Sequence, residues 1–86
     1  MKTNFQMLIN LLAEYTPKER GICSSEEIAL IQKELHLNEM DILQLRNLRD
    51  FTVIYLSKSE KMEDWDRMSA ITYVIDTTIS KLGGEV

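Results

Sequence analysis

Few side chains in this sequence could carry chemistry, and they do not gather. His36 is the only histidine and Cys23 the only cysteine. A histidine acting as general base or metal ligand needs partners, and a lone one at a helix end is a capping or solvated residue. A nucleophilic cysteine needs a base and a cause for a lowered pKa, and Arg20 is the only cation close to Cys23 in the chain. No serine has both a base and an orienting acid in view. Gly83-Gly84 lacks the strand and helix that frame a phosphate loop. In the acidic run EKMEDWD (60–66), helical spacing lets Glu60, Glu63 and Asp64 share a face. A hard cation, however, takes six or more oxygens, mostly from a loop. Acids crowding the start of a helix are already explained by its dipole. These residues predict a protein that is not an enzyme and that needs no cofactor or metal.

The bulk numbers set the frame around them. A chain of 86 residues holds one core and one domain. At this size roughly 60–65% of the unfolded surface is buried, so self-association is a natural supplement to stability. A content of 44% hydrophobic and 28% charged residues marks a globular chain, not a disordered tail. One proline and three glycines are too little punctuation for an all-β fold. The net charge of −4 disfavours nucleic acid, whose binding rests on neutralised phosphates. The single cysteine cannot close an intrachain disulfide, and MKTNFQMLINLLAEY, broken by Gln6 and Asn10, is neither a signal h-region nor a membrane span. A cytoplasmic protein without membrane contact is the expectation.

Four helices must position everything else, over about 3–15, 24–36, 39–57 and 60–82. In the first, Phe5, Leu8, Ile9, Leu12 and Tyr15 recur at helical spacing, with Thr3 as N-cap. Pro17 marks its exit and Gly21 lies in the loop beyond it. The second opens on a capping box, Ser24 with Glu27, and a staple of Cys23 on Ile28; it buries Ile28, Ile31 and Leu35. The third is read with Asn38 as N-cap and Leu37 and Ile42 as staple, after a turn of about three residues, His36–Asn38. Its segment FTVIYL (51–56) has the highest strand propensity in the chain, yet no second strand exists to pair with it, so it is read as helix. The fourth carries Met68, Ile71, Ile75, Ile79 and Leu82 as its buried stripe, led by Trp65, and stops at Gly83. The fold class is all-α, a compact four-helix bundle with a helix–turn–helix-like corner between helices two and three.

That corner resembles a helix–turn–helix motif over about twenty residues. Ile31 and Leu35 stand at core positions of the leading helix, and Leu37 and Ile42 anchor the turn and the second helix. Gln32 replaces the small residue of the pattern and His36 its turn glycine. The resemblance implies a dimeric DNA-binding regulator reading bases with Gln44 and holding phosphates with Arg46 and Arg49. Glu39 and Asp41 would repel those phosphates. The favoured expectation is therefore a small regulatory or protein–protein interaction protein acting through a helical face. Its partner is another protein or a second copy of itself. A third helix apolar on every side is either enclosed by its neighbours or covered by another molecule. Phe51, Ile54 and Tyr55, with Trp65 from helix four, are the candidate contact residues.

Overall fold

The computed structural model describes residues 4–15 and 24–84, and the order of elements is α1 (Asn4–Glu14), α2 (Ser25–Glu34), a 3-10 turn (Leu37–Glu39), α3 (Ile42–Ser57) and α4 (Met62–Lys81). FTVIYL lies inside α3, and no strand occurs among the described residues. The roles expected of Thr3, Pro17, Gly21 and Cys23, and of the Phe5 side chain, lie outside the described residues.

Caps set two of the helix starts. The Ser24 side chain accepts from the Glu27 N–H at 3.2 Å, as the capping-box pattern predicts. The Glu27 carboxylate does not complete that box. It is buried, and accepts a 2.9 Å hydrogen bond from the Tyr15 hydroxyl at the end of α1.

The corner between α2 and α3 is built differently from the expected three-residue turn. The α2 helix ends through His36 in the left-handed region (φ 54°, ψ 40°), whose N–H bonds the Lys33 carbonyl at 3.2 Å. The chain then makes the 3-10 turn, which drives Leu37 into the core, and only at Asp41 does it start α3. Asp41, not Asn38, is the N-cap: its carboxylate accepts from the Gln44 N–H at 2.7 Å, while Gln44 Oε1 accepts from the Asp41 N–H at 3.0 Å. Asp41-x-x-Gln44 is a complete capping box, and this reciprocal pair outcompetes a single Asn38 cap.

The core joins Leu8, Leu11 and Tyr15 of the α1 segment, Ile31 and Leu35, Leu37 and Met40, Leu45 and Leu48, and Ile71, Val74, Ile75 and Ile79. The closest pairing is α3 on α4; α1 lies on α3, α2 lies on α4, and α1 and α2 meet each other. One side of the α3–α4 hairpin is thus roofed by two helices. The Cα radius of gyration is 11.9 Å, the value of about 12 Å usual for a compact domain of this length.

At the far end, α4 closes in a Schellman motif. Gly83, at φ 84°, bonds the Ser80 carbonyl at 3.0 Å, and Gly84 bonds the Ile79 carbonyl at 3.0 Å. Leu82, expected in the buried stripe, is instead the cap residue and half exposed. Among the described residues no helix is long and apolar enough to cross a membrane.

Candidate functional site

The buried face of α3 consists of Leu45, Leu48, Thr52 and Leu56, spaced three, four and four residues apart. A threonine can occupy that stripe because its hydroxyl donates to the Leu48 carbonyl at 2.7 Å, leaving its methyl to the core. With Thr52 inward, the bulkier neighbours turn away. Leu43 is 69% exposed, Ile54 56% and Tyr55 44%. Of the two alternatives for α3, enclosure by its own neighbours does not hold: within the chain its outer face stays uncovered.

The four candidate contact residues divide between two surfaces. Phe51 and Tyr55 stack on one flank of α3, with ring centroids 5.6 Å apart and planes at 21°. Phe51 is half-buried against the core, so its ring holds Tyr55 in place. Tyr55 forms one wall of an open groove of about 370 Å³, lined also by Leu12, Leu56, Lys58, Ser59 and Asp64. Trp65, 43% exposed, is fixed beside the same loop by its indole N–H, which donates to the Ser59 carbonyl at 3.1 Å. Ile54 belongs to the neighbouring line of α3, with Leu43, which points away from the buried face. Sequence reasoning missed this groove, whose signal was the polar triplet Ser57-Lys58-Ser59 ahead of the acidic run.

Within that run, Asp64 is taken up by the fold. It accepts from the Ser59 hydroxyl and from Arg67 Nη1 at 2.8 Å. The Ser59 hydrogen bond, aided by Arg67 and opposed by partial burial, holds its carboxyl below the ordinary 3.8. Among the described residues no three His, Cys, Asp or Glu side chains are grouped so as to hold a metal ion. His36 is exposed, with Nδ1 3.2 Å from Glu39 Oε2.

The residues of the helix–turn–helix reading are engaged elsewhere. The Gln44 side chain is half of the α3 capping box. Arg49 donates through Nε to Asp76 Oδ1 of α4 at 2.6 Å. Arg46 is exposed, one turn past the cap. The α2 helix also packs chiefly on α4, not on α3 as the two helices of such a unit do.

Eight large apolar side chains are left exposed among the described residues: Leu30, Leu43, Ile54, Tyr55, Met62, Trp65, Tyr73 and Leu82. All but Leu30 lie on the α3–α4 hairpin or its C-terminal cap. Met62 and Tyr73, spaced along α4, extend the surface beyond the residues singled out from sequence. Comparison with protein-family models, curated proteins and solved structures finds no match to this chain.

Proposed function

We propose that this protein is a non-catalytic interaction module whose contact surface is the exposed apolar surface of the α3–α4 hairpin. The observation that carries the reading is the segregation of exposed apolar side chains onto that hairpin. Single exposed apolar residues are ordinary, but their concentration on one supersecondary unit is what binding surfaces have. Aromatic side chains locked by a stack, as Tyr55 is, or by an indole hydrogen bond, as Trp65 is, lose little entropy on binding. Lys58, Glu60, Lys61 and Glu63 are exposed around the loop and furnish a polar rim.

The test is affinity capture of the full chain under nuclease treatment, with native mass spectrometry of the eluate. A protein at fixed stoichiometry, retained at high salt and lost with Tyr55→Ala or Trp65→Ala, supports the reading. Stoichiometric nucleic acid, released steeply by salt and lost on neutralising Arg46, sinks it in favour of a DNA-binding regulator.

A further inference from the structure

The outer line of α3 is Leu43, Asn47, Asp50 and Ile54, all exposed. Leu43 and Ile54 are eleven residues apart, close to three full turns, so they lie on one straight line about 16 Å long. Between them stand one amide and one carboxylate. The midpoint of Leu43 and Ile54 in the chain is also the midpoint of Asn47 and Asp50. A helix stripe of this kind is its own complement when a second copy is laid against it in the opposite direction.

We infer that this stripe is the seam of a twofold-symmetric homodimer in which α3 packs antiparallel against α3 of a second copy. This rests on the interaction reading above and names its occupant. Across the twofold axis Leu43 meets Ile54 of the second copy, and Ile54 meets its Leu43. Asn47 donates to the Asp50 carboxylate of the second copy, and the reciprocal bond forms by symmetry. Both apolar ends and both polar middles are satisfied by one operation. The parallel arrangement has no such solution, since it sets Asp50 against Asp50 and like charges repel. Antiparallel alignment also opposes the two helix dipoles favourably. The pairing closes the one side of α3 that α1 and α4 leave open, without any change in the monomer.

The experiment is sedimentation of the full chain over a dilution series, with disulfide trapping in a Cys23→Ser background. The wild type sediments as a concentration-dependent dimer. Ile54→Glu weakens it roughly 100-fold, because symmetry buries the new charge twice. Circular dichroism of that variant checks that the helices persist. A mixture of Leu43→Cys and Ile54→Cys chains yields a cross-linked heterodimer under mild oxidant, whereas Leu43→Cys alone stays uncross-linked. Wild type that stays monomeric at every concentration overturns the inference, as does equal cross-linking by Leu43→Cys alone. If the chain is monomeric but a captured protein still depends on Tyr55 and Trp65, the interaction reading survives and only the homodimer falls. Loss of both signals removes the two together.

Discussion

Arg67 Nε donates to the backbone carbonyl of Tyr15 at 3.0 Å, and so α4 grips the end of α1 across 52 residues of chain. The same guanidinium bonds Asp64 through Nη1, and the Tyr15 hydroxyl in turn bonds the buried Glu27. A continuous polar path therefore runs from the α3–α4 loop through α4 and the end of α1 to the first turn of α2. Its members are partly or wholly buried, where each unmade bond is costly.

Tyr15→Phe removes one hydroxyl and leaves the Glu27 carboxylate, 6% exposed, without that donor. The expected loss is about 1–3 kcal/mol of unfolding free energy. Urea denaturation checks it, and an unchanged midpoint would mean that water replaces the hydroxyl at no cost.

The lowered pKa of Asp64 ties stability to pH with a definite sign. A carboxyl whose folded value lies below its unfolded one stabilises the fold fully above the unfolded value near 3.8, and loses that contribution as pH falls through the folded value. Ser59→Ala removes the largest cause and moves the Asp64 titration back up toward its ordinary position. Carboxyl NMR titration of wild type and variant reads this directly.

Two left-handed positions, His36 and Gly83, answer oppositely to substitution. His36 occupies the glycine conformation with a side chain, so His36→Gly relieves up to about 1 kcal/mol of strain. At Gly83 an added Cβ would meet nothing within 4 Å, so Gly83→Ala costs only the backbone strain of φ 84°, about 1 kcal/mol. The neighbouring Gly84 is limited by space instead. Gly84→Ala would place a Cβ 2.6 Å from the buried Ile79 Cγ2 and 3.3 Å from Ile42 Cδ1, costing about 1–3 kcal/mol. Thermal melts of the three variants order them.

The two candidate caps of α3 are separable in the same way. Asp41→Ala breaks a reciprocal pair and costs about 1 kcal/mol, whereas Asn38→Ala changes stability by no more than about 0.5 kcal/mol. Equal effects would return the helix start to Asn38.

These variants also mark how far the chain can be read unaided. Helix count and type are legible because the apolar spacing is helical and FTVIYL has no strand to pair with. The start of α3 is misplaced from sequence because Leu37 and Ile42 look like a staple around Asn38, although Asp41-Ile42-Leu43-Gln44 carries a stronger pattern. The buried face of α3 is hidden by Thr52: a polar residue holds the inward position by bonding its own helix, and apolar neighbours occupy the outside. The Tyr15–Glu27 bond is invisible because the capping-box spacing already assigns the Glu27 carboxylate a local role, one that the fold does not give it. Of the candidate contact residues, Tyr55 walls the groove and Trp65 bonds the loop beside it, while Ile54 belongs to another line of α3.

The contrast between a short loop and a long reach has a consequence for the order of assembly. Four residues, Lys58 to Lys61, separate α3 from α4, whereas the Arg67–Tyr15 contact must close a loop of 52. The difference in closure entropy is about 2 kcal/mol in favour of the hairpin. The hairpin is thus the nucleus that the chain can form early, and α1 is the lid that docks late and opens first. A nascent chain would present α1 before its docking surface exists, so its apolar stripe must wait, uncovered, until α3 is made, and the bond that fastens its end must wait for α4.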